Sequence, residues 1–475
     1  MKKDSQGGNA SRNACKLCAP LGASVAYCGI EGCVPLVHGS QGCSTYIRRY
    51  CISHFREPMD VASSNFTESS AIFGGERNLR AAIENVARQY VPQAIGIATT
   101  CLTETIGDDV ARYVSEYERK RTFSGVGTGS DALAGSQSPA IFHASTPSYR
   151  GTHIDGFHAA VLATVQRLAG GNALASRPDE SPIDADPARV NVFPGFVSSE
   201  DLRELRAIVE SFGLHAALIP DYSETLDGES WETFHKMPES GTPLSDVEAS
   251  ARANASLCLY APLDSGDDAG SWLERERGVP SRFLGMPIGI RSTDALYGAL
   301  EGISGRKTPL SWKKARGRLV DAYIDGHKYC FGKRVVIYGD GDFVVALASF
   351  LDEIGAVVAI AATGAKDRRF AERIREATPN AREGTPVFDD SDFASILDAA
   401  RDASIDLVIG NSKGYYLSRN IGVPLVRCGF PIHDRMGGQR ILHLGYRGTT
   451  ALFDRVCNAL MEERQSSAKS GYTYI

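Results

Sequence analysis

Short apolar runs alternate with amphipathic patterns along most of the chain. Three of these runs are rich in β-branched residues, as buried parallel strands are: PQAIGIATTC (92–101), ARVNVFPGF (188–196) and KRVVIYGD (333–340). Each run is followed by a segment whose apolar residues have helical spacing, namely 102–121, 198–213 and 341–355. A further strand is predicted at 356–364. This alternation predicts parallel sheets covered by helices.

Terminal signals support the predicted helices. The segment 102–121 carries acidic residues early and basic residues late, which suits the helix dipole. Ser198 or Ser199 can cap the helix at 198–213, and Gly213 can end it. We therefore predict one continuous helix over each of these two segments.

Composition places two boundaries in the chain. The segments 170–187 and 301–310 are rich in glycine, proline, serine or aspartate, as linkers are. With about 150 residues per domain, 475 residues suggest three domains. The predicted division is an N-terminal extension, a cysteine-rich domain I, a domain II, and a domain III with a C-terminal tail: 1–17, 18–185, 186–310 and 311–475. The predicted fold class is α/β, with three Rossmann-like domains that each contain a mostly parallel sheet flanked by helices.

Charge and hydropathy exclude several classes of function. The 51 basic and 57 acidic residues give a net charge of −6, which argues against a nucleic-acid binder. No apolar run approaches the roughly 18 residues of a membrane helix, and the N-terminus has no apolar core of a secretory signal. A cytoplasmic protein without nucleic-acid or membrane partners is expected.

The eleven cysteines are concentrated near the N-terminus, where seven fall within the first 101 residues. An odd number in a chain expected to be cytoplasmic makes a disulfide framework a poor explanation, so metal binding is the leading interpretation for some of the N-terminal cysteines. A core role is expected for the four later cysteines, since free cysteine packs like a small apolar residue: Cys258, Cys330, Cys428 and Cys457. Structural roles are also favoured for Cys28, Cys33 and Cys51.

Three cysteines stand in contexts that suit a metal–sulfur site. Cys101 ends a predicted strand just before a helix, where α/β proteins place ligands. Cys43 follows a glycine, and Cys18 lies four residues before Gly22; we expect these glycines to let backbone N–H groups approach sulfide ions. Cys15 and Cys18 form a C-x-x-C motif, which leaves a zinc half-site or a redox pair open, although no second close pair follows.

At these residues the chain resembles the nitrogenase component 1 family, and specifically its β-type subunits. The motifs that carry the resemblance run in family order: CAPLGA (18–23), HGSQGC (38–43), HFREP (54–58), AIFGGE (71–76), TTCLTETIGDD (99–109), TPSYRGTH (146–153), DGHKYCFGKRVVIYGDGDF (325–343) and GFPIHDR (429–435). The resemblance implies the nitrogenase component 1 fold.

The resemblance also implies a set of site residues. Cys18, Cys43 and Cys101 match the three β-chain thiolates of an 8Fe–7S P-cluster shared with an α subunit, with a smaller 4Fe–4S cluster as the alternative. Ser148 matches a serine whose oxygen binds cluster iron in some members, or else it is an ordinary turn serine. Phe73 matches an apolar residue that docks the reducing iron protein, or else it is a core residue. The large iron–sulfur cofactor belongs to the α partner only, so no catalytic residue is assigned here.

The implied assembly is an α2β2 heterotetramer reduced by a homodimeric, ATP-hydrolysing iron protein. The YGDGD segment (338–342) follows a strand as a dinucleotide loop would, but it has two glycines and two repelling aspartates, so no nucleotide role is expected. His38 and His54 are expected to be structural. Cys18 comes early in the chain, and several motifs resemble those of β chains that act as scaffolds for cofactor assembly. In these features the chain looks similar to methylthio-alkane reductases, which cleave C–S bonds. A dinitrogen-reducing nitrogenase and a scaffold for cofactor assembly are the alternatives.

Overall fold

A computed structural model describes residues 15–124, 138–170, 185–233, 235–263, 266–381 and 384–468. Most of the predicted N-terminal extension, of the boundary segment at 170–187 and of the C-terminal tail lies outside the described residues. None of the helices that are described is both long and apolar enough to cross a membrane.

The helices of the described residues are α1 (Ala19–Cys28), α2 (Gln41–Phe55), α3 (Glu68–Phe73), α4 (Glu76–Tyr90), α5 (Cys101–Thr105), α6 (Val110–Ser124), α7 (His153–Ala169), α8 (Ser199–Glu210), α9 (Leu244–Ala249), α10 (Ala269–Arg277), α11 (Ile290–Ser304), α12 (Leu310–Cys330), α13 (Gly341–Glu353), α14 (Phe370–Ala377), α15 (Phe393–Arg401), α16 (Tyr415–Ile421) and α17 (Gly445–Ser467). The strands are β1 (Cys33–His38), β2 (Ala62–Ser63), β3 (Ala94–Thr99), β4 (Ala140–Ala144), β5 (Asp186–Phe193), β6 (His215–Leu218), β7 (Ala253–Cys258), β8 (Ser281–Phe283), β9 (Arg334–Gly339), β10 (Val357–Thr363), β11 (Val387–Phe388), β12 (Leu407–Gly410) and β13 (Leu425–Arg427).

The strands form three sheets in which every described strand pair is parallel. Their strand orders are β2-β1-β3-β4, β6-β5-β7-β8 and β11-β10-β9-β12-β13. The α/β fold class with parallel sheets flanked by helices is therefore confirmed. The three sheets draw their strands from 33–144, 186–283 and 334–427. The predicted domain boundaries at 18, 186 and 311 stay a prediction.

The chain divides into two compact units. The larger unit comprises residues 18–320 and 430–452 and contains the first two sheets. The smaller unit comprises residues 1–17, 321–429 and 453–475 and contains the third sheet. In both units the central strands are buried on both faces: β1, β3 and β12 have no partly exposed residue. Helices on both sides of a parallel sheet cause this burial, which explains the continuous apolar runs in the sequence.

A local signal explains the start of α8, whereas the segment 102–121 departs from its prediction. Ser198 caps α8 as predicted: its hydroxyl accepts from the Asp201 amide, and the helix ends at Glu210 before Gly213. The prediction of one helix over 102–121 is wrong, because α5 and α6 are separated by a turn. Gly107 in that turn adopts φ +78, which an L side chain disfavours, and the Asp108 carboxylate accepts hydrogen bonds from the Gly75 amide and the Tyr113 hydroxyl.

Candidate metal centre

One edge of the first sheet collects the predicted site residues. Strands β1, β3 and β4 are parallel neighbours, so their carboxyl ends lie at the same edge. Beyond these three ends the chain continues into Cys43, Cys101 and Ser148. Residues up to 105 positions apart in sequence thus reach one edge, which is the position where open parallel sheets bind ligands.

Cys101 and Cys43 lie in the first turns of the helices that leave this edge. Cys101 is the first residue of α5 and is exposed, and Cys43 is the third residue of α2 and is half-buried. The Ser40 hydroxyl donates to Cys43 Sγ over 3.6 Å. Thr100 and Thr103 form a capping box on α5, and both hydroxyls donate to the His38 carbonyl. These two hydrogen bonds hold the start of α5 against the end of β1.

Cys18 is placed by a very close approach of two helices. It directly precedes α1, whose ten residues are all buried. A Cβ atom on Gly22 would lie 1.6 Å from the His153 carbonyl oxygen, and one on Gly156 would lie 1.9 Å from the Ala19 carbonyl oxygen. The expected role of Gly22 in admitting sulfide is therefore wrong, because the backbone of α7 occupies that space.

The glycine beside Cys43 has a different environment. A Cβ atom on Gly42 would meet only the Ser40 hydroxyl, at an ordinary 3.6 Å. The backbone of Gly42 is thus approachable from outside this chain's described residues, as the expectation for that glycine requires.

Ser148 connects two of the three cysteines. Its amide donates to Cys101 Sγ over 3.3 Å, and its hydroxyl accepts from the Ala19 amide over 3.1 Å. Ala19 is the residue after Cys18, so one serine contacts both the Cys101 thiol and the backbone beside Cys18. The turn that carries Ser148 is itself held to the end of β3, where the Thr146 hydroxyl donates to the Thr99 carbonyl over 2.7 Å.

Sequence reasoning missed the residues that hold this turn. The carboxylate of Glu104 accepts from the Thr99 hydroxyl over 2.5 Å and from the Ser145 hydroxyl over 2.7 Å. Glu104 comes three residues after Cys101. The acidic residue so close to a candidate ligand was the one sequence feature that could have pointed to this role. These bonds orient the Ser148 turn relative to the start of α5.

The sulfurs of Cys43 and Cys101 lie close enough to the Cys18 thiol to act on it. Partial burial raises the pKa of Cys18, and these two nearby sulfurs raise that pKa further. Among the described residues, no three His, Cys, Asp or Glu side chains converge on a point that could hold a single metal ion. Three soft sulfur donors spread along one edge suit a polynuclear iron–sulfur group, in which different irons take different ligands.

The two histidines near the site are buried and bonded within the chain. His38 Nδ1 lies 2.9 Å from the Ser64 hydroxyl, and His38 Nε2 lies 3.1 Å from the Asp108 carboxylate. Burial lowers the pKa of His38, which Asp108 partly offsets. His54 Nδ1 accepts from the Ile432 amide over 2.9 Å, and burial lowers its pKa to about 3. Both rings therefore serve as fixed neutral groups, as expected.

Phe73 ends α3 and points outward. Its side chain is 86% exposed, and the neighbouring Ile72 is 75% exposed. A core role for Phe73 is therefore excluded. Two adjacent exposed apolar side chains form a feature typical of protein contact surfaces.

The seven cysteines for which core or structural roles are expected are all buried, in agreement with those roles, and so is Cys15. Cys15 packs in the core of the smaller unit with Val336 and Tyr338, and burial raises its pKa to about 12. Its thiol is thus buried among apolar side chains, which removes the reason to treat the C-x-x-C motif as a zinc half-site.

The Cys15 thiol lies beside the backbone of Gly339, which ends β9, and Lys413, three residues after β12, reaches Lys16. Between these strands the order of the third sheet reverses, which is where doubly wound sheets bind nucleotides. The Cys15 amide donates to the Ser391 carbonyl over 3.2 Å, and Lys413 Nζ donates to the Lys16 carbonyl over 3.1 Å. The chain's own backbone therefore occupies this crevice.

Comparisons with known proteins match this arrangement over nearly the whole chain. A family described as nitrogenase component 1 type oxidoreductase matches residues 18–461. The nitrogenase molybdenum-iron protein beta chain of Clostridium pasteurianum is 34% identical over 452 residues, covering 95% of this chain and 93% of that protein. The corresponding chain of Frankia alni is 35% identical over 456 residues, covering 95% and 83%.

Solved structures agree with the sequence comparisons. A chain of nitrogenase Cp1 at pH 6.5 superposes with a TM-score of 0.90 at 32% identity and covers 100% of this chain and 99% of that chain. A chain of nitrogenase Cp1 at pH 5 matches with a TM-score of 0.67 at 16% identity, which reflects the shared fold alone.

Proposed function

The chain belongs to the nitrogenase component 1 family of oxidoreductases as a β-type subunit, and on that premise we propose that it relays electrons through an iron–sulfur cluster held by Cys18, Cys43 and Cys101. The observation that carries the proposal is the Ser148 linkage at the sheet edge. Residues selected by motif alone meet there, and Ser148 bonds to the Cys101 thiol and to the backbone beside Cys18.

The donor set suits an 8Fe–7S P-cluster, with a 4Fe–4S cluster as the alternative. Bound there, such a cluster would supply one-electron redox chemistry. The three thiolates would hold iron, and the Ser148 hydroxyl would add an oxygen ligand. Because Cys18 and Cys101 are exposed in this chain, half of the group would face a partner. We assign that partner as an α-type subunit in an α2β2 heterotetramer, which alone carries the larger iron–sulfur cofactor.

The electron donor in this proposal is a separate, homodimeric iron protein that hydrolyses ATP. Phe73 supports the assignment because its side chain is 86% exposed beside exposed Ile72. Asp108 joins this surface to the site: its carboxylate accepts from the Gly75 amide and contacts His38, which ends β1. Docking at Phe73 would thus act on a segment bonded to the strand that leads to Cys43.

For the reaction of the whole complex we favour reductive C–S cleavage of methylthio-alkanes. The stretches NACKLCAPLGA, GCSTYIRRY and GFPIHDRMGGQRILHLGYRG resemble scaffold β chains as much as catalytic ones, and we base this choice on their presence in a chain that keeps all three cysteines and Ser148. Reduction of dinitrogen and a scaffold role in cofactor assembly are the competing functions. Electron relay at the cysteine site is common to the two catalytic functions.

Anaerobic co-purification with the α-type partner tests the proposal. We expect about eight irons per αβ interface in addition to a separate large cofactor in the partner. A single four-iron interface cluster would overturn the catalytic function and favour the scaffold. Turnover assays with methylthio-alkanes and with dinitrogen, both with the iron protein and ATP, then decide the substrate.

Paired alanine variants test the ligand assignment. Cys43→Ala should lose the interface iron, because it removes one of three thiolates from this chain. Cys51→Ala, in the same helix but fully buried, should keep the iron and lose only modest stability. Equal iron content in the two variants would refute the assignment of Cys43.

A further inference from the structure

Two buried cysteines in the smaller unit lie side by side. Cys330 ends α12, Cys457 lies in α17, and their sulfur atoms are 3.3 Å apart. The two residues are 127 positions apart in sequence. Disulfide formation requires the sulfurs to approach to about 2.05 Å. A shift of about 1.2 Å, within the reach of side-chain rotation, would therefore join them.

A glycine brings the two helices this close. A Cβ atom on Gly326, one turn before Cys330, would lie 2.4 Å from the Phe453 ring and 3.0 Å from Cys457 Sγ. Alanine at this position would have to displace the Phe453 ring and would crowd the Cys457 sulfur. The absence of a side chain at Gly326 thus allows α12 and α17 to pack closely beside the two thiols.

We propose that Cys330 and Cys457 are a dithiol site that hydrogen peroxide oxidises to an intramolecular disulfide. The pairing is specific because the other buried cysteines of this unit, Cys15 and Cys428, have no sulfur neighbour in the described hydrogen bonds. Peroxide is the oxidant of suitable size, since Cys457 is 7% exposed and Cys330 is fully buried.

Cys457 is the attacking thiol. Cys457 is the more accessible of the two thiols, and its contact with the Cys330 sulfur lowers its pKa. Its thiolate attacks one peroxide oxygen, the O–O bond breaks, and hydroxide leaves to give a sulfenic acid on Cys457. Cys330 then loses its proton and attacks that sulfur, which expels the second hydroxide. In sum, two thiols and one peroxide yield one disulfide and two waters.

Peptide mapping of the full chain tests the pairing directly. Trypsin releases Cys330 in YCFGK (329–333) and Cys457 in VCNALMEER (456–464). After brief treatment with peroxide and alkylation of free thiols, we expect these two peptides to appear joined, with loss of the alkylated form of each. Reduction with dithiothreitol should restore both alkylated peptides.

Matched variants and a stability readout complete the test. Cys457→Ser and Cys330→Ser should each abolish the joined peptide, whereas Cys428→Ser should retain it. Because the cross-link closes a long span, the oxidised wild type should unfold at a Tm several degrees higher, and dithiothreitol should reverse this shift. If wild-type chains keep both thiols alkylatable, over-oxidise them without a link, or join either to another cysteine, the proposal fails.

Discussion

Replacing Gly22 with alanine tests the helix contact that places Cys18. The new Cβ atom would lie 1.6 Å from the His153 carbonyl oxygen, whereas ordinary contact begins at 3.4 Å. The helices α1 and α7 must therefore separate by about 1.8 Å. The opposing atom belongs to the backbone, so no side-chain rotation can relieve the contact.

Two effects of this substitution oppose each other. Alanine has the better helix propensity by about 1 kcal/mol, which favours the variant. Overpacking typically costs about 1–3 kcal/mol, and a rigid backbone contact belongs at the upper end of that range. We therefore expect a net loss of roughly 2 kcal/mol or more. The displacement of α1 also moves Cys18, and ligand sites tolerate only about 0.5 Å, so bound iron should fall sharply.

Urea unfolding and iron analysis of the purified complex measure both consequences. Gly298→Ala is the matched control, because Gly298 lies inside α11 and a Cβ atom there meets nothing within 4 Å. That control should gain up to about 1 kcal/mol and keep its iron. A Gly22→Ala variant with the wild-type urea midpoint and full iron would show that α1 and α7 do not meet as described.

Three further predictions follow from the same geometry. Ser148→Ala removes the acceptor of the Ala19 amide and should lower the free energy of unfolding by about 1 kcal/mol. If Ser148 binds iron, the variant should keep its iron content but show an altered EPR spectrum in the oxidised state. An unaltered spectrum would exclude this oxygen ligand. Phe73→Ala should leave the unfolding free energy within about 0.5 kcal/mol of wild type but slow reduction by the iron protein several-fold; an unchanged rate would contradict docking there. The folded pKa of His54, about 3, lies below the roughly 6.5 of an unfolded chain, so the unfolded state protonates first and stability is lost as the pH falls from 6.5 towards 3. The stability gap between wild type and His54→Asn should shrink by about 1.6 kcal/mol between pH 6.5 and 5, and a constant gap would refute this effect.

Local features of the sequence predicted the fold well. Parallel strands buried on both faces leave continuous apolar runs, and the Ser198–Asp201 capping box is encoded within four residues. The three cysteines could be selected because each stands in a distinctive motif at a strand or helix end. Signals of this kind depend only on residues that are neighbours in sequence, so they can be recognised without knowledge of the tertiary structure.

Contacts between distant residues were not predictable in this way. The break between α5 and α6 depends on Asp108 accepting from Gly75, 33 residues earlier. The role of Gly22 depends on His153, and the pairing of Cys330 with Cys457 spans 127 residues. The exposure of Phe73 depends on what the rest of the chain leaves uncovered. Each of these features can be seen only in the folded structure, because the local sequence does not indicate which distant residue will be in contact.

The backbone of Cys15 and Lys16 in the third sheet's crevice has a consequence for ligand competition. A covalently attached occupant acts at an effective concentration in the millimolar range, without any loss to diffusion. A free nucleotide would have to compete against that concentration and also give up the bonds that Ser391 and Lys413 make to this segment. These bonds thus make the crevice an attachment point for the Cys15–Lys16 segment and disfavour a free nucleotide there.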